Sequence, residues 1–142
     1  MVERLKKIVE ETGVKVVLSS SWRIFFDKTE DGIIPNCEKG NNFNRLLNHY
    51  NIFIYDITPY DRHRNRGNEI KHWLLDNPDV DDFIIIDDET ESLLEYESKV
   101  IKTYYKYNND CGLCDSHVKE AISKLKEDKL VKRKWVFSDG KN

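Results

Sequence analysis

The sequence predicts an α/β fold, a three-layer, doubly wound and mostly parallel sheet with helices on both faces. Three observations carry that expectation. Largely apolar runs of strand length recur at 14–18, 52–55 and 83–86, without the strict alternation of a sheet that has one wet face. Segments with helical spacing separate these runs. Glycine or polar clusters bound them, so each run ends where a turn has to begin.

The elements follow in order. From Val2 to Thr12, Leu5, Ile8 and Val9 share one helical face, and Gly13 is a helix stop. Val14, Val16, Val17 and Leu18 form a short β-branched run between Gly13 and three serines, which reads as a buried strand. Residues 28–41 are polar and contain Gly32, Pro35 and Gly40, the composition of a loop or small insert. Phe43, Leu46 and Leu47 suggest a short helix, and Ile52 to Tyr55 a second strand. Gly67 opens another helix, with Ile70, Trp73 and Leu74 on one face and Pro78 beyond its end. Phe83, Ile84, Ile85 and Ile86 make a third strand, stopped abruptly by Asp87-Asp88-Glu89, and Val100 to Tyr105 a fourth. Val118, Ala121, Ile122 and Leu125 mark a last amphipathic helix, with Asp115 as its N-cap. The tail, 128–142, is basic and then apolar at Trp135, Val136 and Phe137, which fits an extra edge strand or a poorly ordered end.

Composition narrows the function classes. The 142 residues fall within the about 100–200 of one domain. Lys and Arg total 23 against 26 Asp and Glu, a net charge of −3, so net charge gives no drive toward nucleic acid. No apolar run approaches the about 18 residues of a membrane span, and the start of the chain lacks a signal-peptide core. A cytoplasmic protein with no membrane contact is the expectation. Three cysteines do not make a disulfide scaffold.

In open parallel sheets ligands bind beyond the carboxyl ends of the strands. Two strands end in polar clusters, Ser19-Ser20-Ser21-Trp22-Arg23 and Asp87-Asp88-Glu89, which should face one crevice. Hydroxyls and backbone N–H groups at a strand-to-helix turn suit an anionic oxygen ligand such as phosphate. Adjacent carboxylates suit Mg²⁺, a hard cation that takes oxygen ligands and keeps waters. Arg62-His63-Arg64-Asn65-Arg66-Gly67 lies just ahead of a helix and offers a cation for a phosphate or carboxylate. Taken singly, the three clusters also read as a capped turn, a loop with an N-cap and a solvated loop. Their joint order along the chain is what points to a site.

Residues 16–23 (Val-Val-Leu-Ser-Ser-Ser-Trp-Arg), 66–74 (Arg-Gly-Asn-Glu-Ile-Lys-His-Trp-Leu), 83–89 (Phe-Ile-Ile-Ile-Asp-Asp-Glu) and 111–113 (Cys-Gly-Leu) resemble the haloacid dehalogenase (HAD) superfamily. The likeness is to the HAD-type domain of RNA-repair-like proteins and of small phage and bacterial phosphatases, and it runs from about Val2 to Leu125. It implies that Ser19, with the Ser20 backbone N–H, holds the transferring phosphoryl group. It makes Arg66 the catalytic cation that stabilises phosphoryl and nucleophile, and Asp87 and Asp88 the Mg²⁺ ligands. A HAD-like hydrolase acting on a phosphorylated small molecule or a nucleic-acid end is the implied function. Specificity in such proteins usually comes from cap segments, for which 26–42 is the candidate here.

One motif departs from the family. There, a central strand ending Asp-x-Asp-Gly lies between the strands of residues 14–18 and 83–86; its first Asp attacks phosphorus and its second is general acid and base. No such strand precedes Ser19, and Asp79-Val80-Asp81 comes before its strand rather than after it. Trp135-Val136-Phe137-Ser138-Asp139-Gly140 matches in part but puts Phe137 in the nucleophile position. The favoured expectation is an N-terminally shortened member, a pseudoenzyme as it stands, that does not turn over phosphate esters. The two strands then pair directly, or another segment or a second copy of the chain fills the gap. A tail that replaces the strand stays open.

Two other function classes stand beside this one: a non-catalytic module for a phosphorylated ligand, and a thiol redox protein using Cys111 and Cys114, a C-x-x-C before a helix. Zinc at that pair would need His117 and the distant Cys37. His49, His63 and His72 read as surface or capping residues. Trp73 reads as core, while Trp22 and Arg23 read as crevice residues, with core the equal alternative for Trp22. Tyr104, Tyr105 and Tyr107 read as ordinary strand aromatics, with base stacking the alternative.

Overall fold

In the computed structural model, residues 2–103, 112–126 and 134–138 are described. Four helices, α1 (Val2–Thr12), α2 (Glu38–His49), α3 (Arg66–Asp76) and α4 (Asp115–Lys126), accompany a five-stranded sheet. The sheet contains β1 (Lys15–Leu18), β4 (Ile54–Ile57), β5 (Asp82–Asp87), β6 (Val100–Lys102) and β7 (Lys134–Ser138) in the order β4-β1-β7-β5-β6. All its pairings are parallel. A separate antiparallel hairpin joins β2 (Phe26–Thr29) to β3 (Gly32–Pro35).

Successive strand residues point to opposite faces, and the core divides accordingly. Val16, Ile84, Ile86 and Val136 pack on one face against Ile8 of α1, Leu47 of α2 and Val118, Ala121 and Leu125 of α4. Val17, Ile85 and Phe137 pack on the other against Ile70 and Trp73 of α3 and Leu93 of the 3-10 segment at Glu91–Lys99. This is the three-layer arrangement read from the sequence.

The centre of the sheet is filled, not vacant. β7 pairs along its length with β1 on one side and β5 on the other, from Lys15↔Trp135 to Leu18↔Ser138 and from Asp82↔Lys134 to Ile86↔Ser138. The C-terminal run is thus a central strand rather than an edge strand, and the expected gap between β1 and β5 is closed by the chain's own tail. The physical reason is that Val136 and Phe137 are both fully buried, on opposite faces. Only a position covered from both sides hides both.

Smaller differences have local causes. Residues 28–41 contain a hairpin, because Glu30 and Asp31 make a two-residue turn between the paired Thr29 and Gly32, with Gly32 at φ +109°. β4 lies two residues later than the apolar run, which draws the buried Asp56 into the strand, where it accepts hydrogen bonds from Trp73 Nε1 (2.9 Å) and Lys28 Nζ (3.1 Å). Asp115 is the first residue of α4 rather than its cap, and it pairs with Arg4 of α1 at 2.9 Å.

Candidate active site

The carboxyl ends of β1 and β5 bring two of the three sequence clusters to one edge of the sheet. Ser19 and Ser20 follow β1 directly and are 1% and 0% exposed. The Ser20 hydroxyl caps the 3-10 turn Ser21–Phe25 by accepting from the Trp22 N–H at 3.1 Å. Asp87 ends β5 and is wholly buried; its backbone carbonyl accepts from the Thr103 N–H at 2.9 Å, which ties the end of β5 to the residue after β6.

The third cluster arrives through α3. Asn65 caps this helix by accepting from the Asn68 N–H at 2.9 Å, and Arg66 is its first residue. Its guanidinium donates to Asp87 Oδ2 and forms an ion pair with it. The start of α3 lies close against the 3-10 segment at Glu91–Lys99 because residue 67 is glycine: a Cβ there would run into the Ser92 carbonyl oxygen. Arg62, His63 and Arg64 are exposed, so of the basic stretch only Arg66 turns inward. Asp61 organises the loop ahead of α3 by accepting from the N–H groups of His63 and Asn65 (both 3.1 Å). The Asn65 bond leads the interactions that hold its carboxyl below the usual range.

Burial pushes the Asp87 carboxyl above its ordinary pKa, and the charge of Arg66 and the Glu89 N–H (3.0 Å) oppose that shift. A carboxylate in this state needs cations near it. The oxygen donors of Asp87 and Asp88 have the hard chemistry that Mg²⁺ takes, with waters or substrate oxygens completing the shell. Among the described residues no group of three or more His, Cys, Asp or Glu gathers for a metal ion.

Sequence reasoning missed a second ion pair. Arg23 and Glu69 are 4% and 3% exposed and meet at 2.6 Å. The Arg23 guanidinium also donates to the Ser19 carbonyl and, at 2.9 Å, to the Thr58 hydroxyl, while Glu69 Oε2 accepts from the Asp61 N–H at 2.8 Å. The turn after β1, the end of β4 and the first turn of α3 are thereby joined through one guanidinium. The available signal was Glu69 three residues after Arg66, a carboxylate on the buried side of a helix.

The other sequence candidates are placed as follows. Trp22 is half-buried against Phe43 (4.9 Å) and Phe25 (5.6 Å), and Trp73 is core. His49, His63 and His72 are exposed. His117 is buried and its Nδ1 accepts from the Cys114 N–H at 2.8 Å. Cys114 is disulfide-bonded and Cys37 is a free thiol just before α2. Tyr104, Tyr105, Tyr107, Cys111 and Asp139 lie outside the described residues. Among the described residues no helix is long and apolar enough to cross a membrane.

A family model described as the HAD domain in Swiss Army Knife RNA repair proteins matches residues 1–118, and the chain belongs to that family. No curated protein and no solved structure matches it.

Proposed function

With membership of this family as the premise, we propose that the crevice binds the phosphoryl group of a phosphomonoester, on a nucleotide or nucleic-acid end, and hydrolyses it with Mg²⁺. The observation that carries the reading is the register of β7. Ser138 stands level with Leu18 on one side and Ile86 on the other, so β7 ends between the strands that lead into Ser19 and Asp87. The next residue in the sequence is Asp139.

The roles follow from chemistry. Ser19 and the backbone N–H groups of its turn hydrogen-bond phosphoryl oxygens, and Arg66 offsets their charge. Asp87 and Asp88 would hold Mg²⁺, which when bound neutralises the phosphoryl oxygens. Asp139 is the attacking carboxylate: its oxygen bonds to phosphorus as the ester P–O bond breaks, and the leaving alkoxide takes a proton from water. Water then cleaves the acyl phosphate, giving back the carboxylate and releasing inorganic phosphate. Phe137, the nucleophile position by spelling, is fully buried among Trp73 and Phe83 at ring distances of 5.2 and 5.5 Å, so it belongs to the core. The expectation of no turnover rested on the missing nucleophile Asp of the family motif; β7 fills the central position, and Asp139 is the carboxylate this reading puts in that role.

The test is Mg²⁺-dependent release of phosphate from p-nitrophenyl phosphate and from a 3′-phosphorylated oligoribonucleotide. Turnover by the full chain that is lost in Asp139→Asn is the expected result. Turnover that survives in Asp139→Asn overturns the nucleophile. A chain that binds inorganic phosphate but never turns over is the non-catalytic phospho-ligand module instead.

A further inference from the structure

A cavity of about 1030 Å³ lies on the α1–α2 side of the sheet. A space this size is at the upper end of ligand pockets, about 300–1,000 Å³. It adjoins the crevice. Leu18 and Ile86 line it, and each immediately precedes a crevice residue, Ser19 or Asp87. Ser21 and Trp22, which continue the Ser19–Ser20 turn, line it as well.

The wall is apolar, and much of it is aromatic, with Trp22, Phe25, Phe43 and Tyr60. Trp22 meets Phe25 and Phe43 edge-on, at interplanar angles of 84° and 65°. Tyr60 is 47% exposed, and two guanidinium groups stack on its ring, Arg23 at 4.1 Å and Arg64 at 5.1 Å. Lys39 and Arg64 add positive charge to the lining against one carboxylate, Glu3, and all three are exposed. Flat aromatic walls suit a flat aromatic guest, and the cations suit an anionic group attached to it. An aliphatic chain would use the apolar surface but neither the aromatic faces nor the cations.

We propose that this cavity receives the nucleobase of the nucleotide whose phosphate sits in the crevice. The inference rests on the phosphoryl-site reading and adds what selects the substrate: a base beside the phosphate, rather than the phosphate alone.

The test is calorimetric binding to the full chain, with EDTA present so that nothing turns over. The probes are adenosine 5′-monophosphate, ribose 5-phosphate, octyl phosphate and adenosine. The nucleotide should bind about tenfold or more tighter than ribose 5-phosphate, within what base stacking on aromatic side chains supplies. Trp22→Leu and Tyr60→Leu keep the wall apolar and remove aromatic faces, and each should bring the nucleotide down toward ribose 5-phosphate. Equal binding of nucleotide and ribose 5-phosphate by the unaltered chain overturns the proposal. So does tighter binding of octyl phosphate than of nucleotide, or a preference that both variants retain. If adenosine binds and loses affinity in the variants while no phosphate compound gains from its phosphate, with EDTA or with Mg²⁺ in its place, the base site stands and the phosphoryl reading fails.

Discussion

Two guanidinium–carboxylate pairs leave the first turn of α3, one reaching the turn after β1 and the other the end of β5. In the first, Glu69 holds Arg23, and both are sealed from solvent with Ser19, Thr58 and Asp61 as further hydrogen-bond partners. In the second, Arg66 holds Asp87, and the Arg66 side chain keeps 17% of its surface exposed. The chemistry is the same and the surroundings differ. A guanidinium enclosed by protein acceptors is committed to the fold. One that begins a helix and reaches toward water at a strand end can meet a ligand. The pairing of opposite charges therefore does not identify a site; its remaining access does.

The comparison breaks if the two pairs respond alike to substitution. The largest effect is expected at Glu69. Glu69→Ala strands Arg23 inside the protein, and chemical denaturation should register a loss of about 3–5 kcal/mol. Arg66→Lys keeps the charge and loses the fork, so phosphate release should fall by about 10²–10³ while stability shifts by about 1 kcal/mol. If Arg66→Lys instead destabilised the chain as Glu69→Ala does and left turnover intact, Arg66 would be structural as well.

A smaller effect should come from pH. Folded Asp87 holds its proton to higher pH than an unfolded Asp does, because of burial. Its contribution therefore favours the folded state at low pH and is lost as pH rises from 3.8 through the raised folded value. Stability of the unaltered chain minus that of Asp87→Asn should decline over that window. Mg²⁺ affinity should rise over the same window, since only the ionised carboxylate is a good ligand. A difference that grows with pH would place the site's charge elsewhere.

The smallest effect is expected at Asp115, an exposed residue held by Arg4, whose hydrogen bond lowers its pKa first and whose charge lowers it second. This contribution has the opposite sign: it is present above 3.8 and is lost as pH falls through the lowered value. Asp115→Asn should move the melting temperature least of all these variants.

Much of this was readable in the residues themselves. Spacing placed α1 at Val2–Thr12, where Ile8 is wholly buried. The run Phe83–Ile86 ending in Asp87-Asp88 announced a strand buried on both faces with acids at its mouth. The clusters around Ser19, Arg66 and Asp87 stood out by their positions at strand and helix ends, the family resemblance picked these residues within them, and the fold brings them to the carboxyl ends of β1 and β5. Glu69 and Asp56 were not singled out, because a lone acid in a helix or strand gives no sign of which cation or indole will satisfy it. Thr58 was missed for the same reason.

Periodicity and short apolar runs are local properties of the chain, so the layer pattern and the order of the elements could be read directly from them. Long-range packing alone fixed that the last strand enters the middle of the sheet, that Arg23 is enclosed while Arg66 keeps partial access, and that a large, partly aromatic cavity lies beside the turn after β1 and the end of β5. The physical reason is that strand order, the pairing of buried charges and empty volume depend on residues far apart in the chain. β7 pairs with strands more than a hundred and about fifty residues before it, and no local pattern records which neighbours it will find.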